Sequence, residues 1–165
     1  MRYVLVLSGA AIIIAYSLYG MFVINDFAVA AASGVPIETA IAEMRAAGQN
    51  YSKLDGIGFA AIGVLLAVAW SLLAIMGRKN YRGHTLLLFW AGILFLGAPA
   101  YFFAAFGNLN SVGDTFYDWY PDAAFEYEWP MYLASALALL PAAGAATAAL
   151  LHKRGPRVPP AAATA

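Results

Sequence analysis

Four runs of about twenty apolar residues, none carrying a charged side chain, constrain this chain more than any other feature. They cover residues 3–24, 56–77, 85–106 and 131–151. A helix needs about 20 such residues to cross a ~30 Å hydrocarbon core. Barrel strands are shorter and alternate between apolar and polar residues, so continuous runs predict helices. The expected fold class is all-α: a polytopic membrane protein whose four transmembrane helices form one bundle over residues 1–151. Residues 152–165, rich in Pro and Ala, are expected to be a disordered tail. Composition agrees. The chain is 63% hydrophobic and 11% charged, where soluble domains run at ~45–50% and ~25%.

The flanks of the runs set an orientation. Arg2 precedes the first. Arg78, Lys79 and Arg82 lie between the second and third, and Lys153, Arg154 and Arg157 follow the fourth. With four crossings these regions share one side, which the positive-inside rule makes cytoplasmic. All nine acidic residues fall on the other side, with only Arg45 and Lys53 among them. An Ala-rich, Lys-poor composition suggests a bacterial genome of high GC content. The expected location is therefore the bacterial inner membrane, with both termini cytoplasmic. Arg2, the first apolar run and the small residues 28–33 also resemble a cleavable signal peptide. That run is longer than the ~7–15 residues of a signal core, and Asn25 and Asp26 intervene before the small residues, so a retained first helix is expected.

The net charge is zero and there is no cysteine. No global field points to nucleic acid, and thiolate metal sites, disulfides, Cys-linked haem and cysteine nucleophiles are excluded. No span holds an ionisable group that would mark an ion path. His84 and His152 both sit at the cytoplasmic ends, so they cannot face each other across a mid-membrane haem. No catalytic, metal or cofactor residues are predicted, and the protein is not expected to be an enzyme.

Two connections remain. In the first, 25–55, the stretch from Val35 to Gly48 reads as a helix, with Pro36 at its start and Gly48 as its stop. Ile37, Ala40, Ile41 and Met44 share one face, which either caps the bundle, lies on the membrane interface or docks a partner. The second, 107–130, is read as a loop holding seven aromatic residues and five acids. Three accounts compete. Its rings anchor it to the membrane interface while its carboxylates face water, with Pro121 starting a short helix through Glu128. Alternatively, Tyr117, Asp118, Trp119, Tyr120, Asp122 and Glu126 form a partner-binding surface, since aromatic residues make effective contacts and an acidic rim attracts basic proteins. Third, Asp114, Asp118, Asp122 and Glu126 recur every four residues and would suit a divalent cation, but Pro121 argues against one continuous helix through them.

Small residues complete the pattern. Ala134, Ala138, Ala142 and Ala146 form a helix-packing seam in the fourth span. Gly56, Ala60, Gly63 and Ala67 form a weaker one in the second. Pro99 and Pro141 should bend the third and fourth spans. Pro99 and Tyr101 mark an alternative ligand pocket between these two spans.

In topology the chain is similar to claudin-like and tetraspanin-like proteins, but it lacks the cysteines of their outer loops, so nothing carries over. It is similar in outline to small accessory subunits of bacterial respiratory and transport complexes, an analogy of size and topology. The expected function is a non-catalytic accessory or assembly subunit. Its expected partners are larger integral membrane subunits, lipids and a basic periplasmic protein, with no nucleic acid and no cofactor. The alternative is a stand-alone protein that binds or translocates a lipid or small apolar ligand.

Overall fold

The computed structural model describes residues 2–77 and 81–153, and every regular element among them is helical. Arg78 and Lys79 and the tail beyond Lys153 lie outside the described residues, as do the side chains of Arg2, His152 and Lys153. The elements are α1 (Arg2–Phe22), a π-helical turn (Val23–Phe27), α2 (Ala28–Ser33), α3 (Ile37–Ala46), α4 (Lys53–Met76), α5 (Gly83–Thr115), α6 (Pro121–Leu137) and α7 (Leu139–Lys153). Four helical stretches are long and apolar enough to cross a membrane: Tyr3–Ser33, Lys53–Met76, Gly83–Thr115 and Pro121–Leu151.

These stretches exceed the predicted spans at the acid-rich end of the bundle. The segment 107–130, expected as a loop, is mostly helix. α5 continues to Thr115 and α6 starts at Pro121, which leaves a turn of only 116–120. Buried positions explain why α5 does not stop at Phe106. Tyr101, Ala105, Asn108 and Val112 follow one another at spacings of four, three and four, all against the core. Asn and Ser lower the hydropathy of this stretch without changing its packing face. Pro121 takes the first turn of α6, where its missing N–H costs nothing.

Two of the prolines act differently. α5 runs unbroken through Pro99. The fourth helix, by contrast, divides at Ala138 into α6 and α7. Pro141 has no N–H to donate to the carbonyl of Leu137 four residues back, so the break falls there.

The tightest packing joins α1 to α4. The face of α4 reads Gly56, Ala60, Gly63, Ala67, Trp70, Ala74, and all six are buried. A β-carbon on Gly63 would overlap the Ser17 side chain, one on Gly20 would overlap the Phe59 ring, and one on Gly9 would meet Trp70 at 2.6 Å. The pairs run in opposite directions along the two helices, as an antiparallel small-residue seam requires. This seam, read from sequence as the weaker of two, is the closely packed one. The fourth-span seam is only partly used. Ala138 is buried beside Ala91 and Leu94, and Ala142 packs against the same cluster, but Ala146 is exposed.

The π turn re-aims the first helix. It buries Val23, Ile24 and Asn25 in succession, which one face of a straight α-helix cannot do. Asn25 thereby reaches α4. The largest core cluster sits at this end and joins Val23, Ile24, Val29, Tyr101, Val112 and Met131 to Ala40 and Met44 of α3. α3 is thus a cap on the bundle with its apolar face inward. Gly48, at φ +76°, ends it in the left-handed conformation open to glycine, with Gln49 N–H bonded to Met44 O at 2.8 Å.

Candidate functional site

The antiparallel order of the helices gathers all nine carboxylates at one end: on the π turn, α3, the start of α4, the end of α5, the turn 116–120 and the start of α6. The floor of this end is a polar clasp under the start of α4. Asn25 Nδ2 donates to Lys53 O at 3.1 Å, and Asn25 Oδ1 accepts from Gly56 N–H at 3.3 Å. Asn108, 1% exposed, accepts from Ser52 N–H at 2.9 Å and donates to Ser52 O and Ile24 O at 3.1 and 3.3 Å. Ser111 donates to Asn50 O at 2.7 Å, and the Tyr51 hydroxyl donates to Asn25 O at 2.6 Å. These residues satisfy the backbone where the chain enters α4, which buried polar groups require. In the sequence only Asn25 stands out among them, as a polar break between the first span and the small residues that follow.

Tyr51 makes the clasp sensitive to alkali. Burial, and then the nearby Asp26 carboxylate, push its phenol up to about 12. The folded value exceeds the ordinary ~10, so the fold favours the neutral phenol. Its contribution to stability is whole below pH ~10 and is lost as the pH rises through about 12. The unfolding midpoint should fall over this window, and Tyr51→Phe should remove that part of the fall in a detergent melt followed by circular dichroism.

The predicted partner-binding residues divide into two groups. Tyr117 stands 99% exposed in the turn, and Asp118 in the same turn and Asp122 and Glu126 in the first turns of α6 are exposed too. Trp119 and Tyr120 have packing roles as well. Trp119 lies over bare Gly113, and the Tyr120 ring leans on Gly34, itself in the left-handed conformation at φ +69°. The Tyr120 N–H is held by Ala32 O at 2.7 Å, which ties the turn to α2. Tyr127 is fastened in the same way, its carbonyl accepting from Tyr19 Oη at 2.8 Å and its ring against Phe27. The aromatics therefore do much of the anchoring, and Tyr117 with the three carboxylates is what stays free.

The fourfold acidic repeat does not form a helical stripe. Asp114 ends α5, Asp118 lies in the turn, and Asp122 and Glu126 begin α6. Among the described residues no three His, Asp or Glu side chains gather closely enough to hold a metal ion.

Two hollows are relevant. A groove of about 830 Å³ runs between α4 and α5 with α1 behind it, lined by Phe59, Ile62, Leu66, Phe89, Leu96 and Phe103. Gly58 and Gly92 leave open space along it. A smaller pocket of about 430 Å³ lies between α5 and α6, in the third and fourth long helices. Neither Pro99 nor Tyr101 lines either hollow. Pro99 is exposed, while Tyr101 is wholly buried, edge-on to Phe59 and Tyr132. The smaller pocket opens one position beyond Tyr101, from Phe102 onward.

Neither family models nor curated proteins nor solved structures gave a match to this chain.

Proposed function

We propose that the chain is a small non-catalytic accessory or assembly subunit of a larger complex in a bacterial inner membrane. Its four long helices cross that membrane with both termini cytoplasmic, and its acid-rich end faces the periplasm. The observation that carries this reading is Tyr117. A fully exposed aromatic ring on the same short turn and helix start as exposed Asp118, Asp122 and Glu126, with none of the three paired to a basic side chain among the described residues, is the composition of an anchor with an attracting rim. Its counterpart is a basic face on a larger membrane subunit or on a periplasmic protein.

The test is isolation from native membranes in mild detergent through a C-terminal tag, with mass spectrometry of what co-purifies. The reading expects a stoichiometric larger partner. It also expects the combined change Asp118→Asn, Asp122→Asn, Glu126→Gln to weaken its recovery, most strongly at low salt, since screening mutes such attraction at high salt. Recovery of the protein alone contradicts it.

One observation favours a second reading. The groove between α4 and α5 is apolar, large and floored by glycine, which suits an acyl chain or a similar apolar ligand. Lipid retained through purification and lost on Gly92→Leu would support that reading.

A further inference from the structure

The pocket between α5 and α6 holds a carboxylate in an unusual position. Glu128 is half-buried in its wall, and no Lys or Arg pairs with it among the described residues. The two basic side chains of this end, Arg45 and Lys53, line a separate hollow with Glu38 and Tyr51. Behind Glu128 lies the hydroxyl of Tyr101, on a residue with 0% exposure. It faces the carboxylate, yet it makes no hydrogen bond of good geometry to any group. A partly buried carboxylate without a counter-charge, beside a buried donor that is not committed, is costly to hold empty.

The rest of the pocket is suited to a counter-charge. Its walls carry the rings of Phe102, Phe106, Trp119 and Tyr132, and aromatic faces attract ammonium groups. Trp119 is fixed in place by its contact with Gly113, and Tyr132 by stacking on Phe125. Asp114 lies at the rim. One of its oxygens accepts from Asn110 Nδ2 at 3.0 Å, and the other is free to face a ligand. The pocket opens beside the exposed rings of Phe102 and Phe106.

We propose that this pocket binds an ammonium group, with Glu128 as its counter-ion and the rings of Trp119, Tyr132, Phe102 and Phe106 around it. Tyr101, buried behind Glu128 and outside the pocket, closes the site on the core side. The chemistry is shared by a free organic amine and by the headgroup of an ethanolamine or choline lipid.

The purified full chain in non-ionic detergent provides the test, read by its tryptophan fluorescence. Choline chloride should give a saturable change that sodium chloride at equal ionic strength does not, and Trp119→Phe should abolish the change. Glu128→Gln should weaken half-saturation by about tenfold, the effect of removing the one partly desolvated counter-charge of the cation. Asp114→Asn, at an exposed position that folding tolerates, should weaken it about threefold. Micelles carrying phosphatidylethanolamine identify a lipid source if they compete with choline, whereas phosphatidylglycerol micelles should not compete. Absence of competition by either lipid assigns the site to a free amine. No saturable response to choline overturns the proposal. So does half-saturation unchanged in Glu128→Gln, or unchanged in Asp114→Asn should Glu128→Gln fail to fold.

Discussion

Gly63→Val should lower the stability of the bundle by about 3 kcal/mol, the upper range for forcing extra atoms into a closed core. The glycine faces Ser17, and even the first added carbon would overlap that side chain. Rotating the Ser17 hydroxyl away does not help. It would give up its bond to Ile13 O at 2.8 Å, and the Ser17 β-carbon would still be too close. α1 and α4 must separate, loosening Trp70 over Gly9 and Phe59 over Gly20 together. Gly58→Ala and Gly92→Ala are the controls, because a methyl at either position meets open space. They should leave stability unchanged or raise it by up to ~1 kcal/mol through helix propensity. The pair Gly63→Ala with Ser17→Gly should recover most of what Gly63→Ala alone loses. Denaturant titration in detergent, followed by circular dichroism, measures all of these. Equal stability of Gly63→Val and Gly58→Ala would show that the seam is not closed.

The second large effect belongs to Asn108→Leu. The leucine keeps the branched shape, slightly enlarged, but leaves Ser52 N–H, Ser52 O and Ile24 O without the bonds that Asn108 gives them. Buried backbone groups left unpaired cost about 1–3 kcal/mol each before water reaches them. Partial hydration near the end of the bundle limits the expected total to about 2–4 kcal/mol. Ser111→Ala, which removes one bond to Asn50 O, should cost about 1 kcal/mol. Amide exchange at Ser52 should rise in Asn108→Leu while exchange in the middle of α4 does not. A uniform rise along α4 would mean that Asn108 supports the whole helix and not its entry.

The contrast between these two sites shows what the sequence could convey. Four apolar runs made four helices legible, because continuous uncharged stretches of that length are too long, and lack the alternation, for strands. The face of α3 was legible from the spacing of Ile37, Ala40, Ile41 and Met44. The helix ends at the acid-rich side were not. Hydropathy falls at Gly107 and Asn108 although the helical packing face continues, so a threshold on apolarity stops α5 early. The order of the two small-residue seams was also hidden. Alanines in the fourth helix outnumber the glycines of α4, yet only glycine admits Ser17 and Asn25 so closely. The π turn leaves no local signature beyond Asn25 itself. At the site, the free residues and the anchoring ones carry the same letters. Tyr117 and Tyr120 differ in that Tyr120 meets Gly34 and Ala32 O across the fold. Glu128 was one acid among nine, and its place in a pocket in front of buried Tyr101 depends on how α6 lies against α5.

The native chain has no cysteine, so a single introduced thiol reports one position cleanly. The most direct measurement is the rate at which Tyr117→Cys reacts with a membrane-impermeant maleimide, in native membranes and in purified protein. The account predicts fast labelling after purification and marked protection in native membranes, where a partner covers the acidic tip. Equal rates in both would contradict it, because the end of the bundle would then be bare where it is supposed to dock.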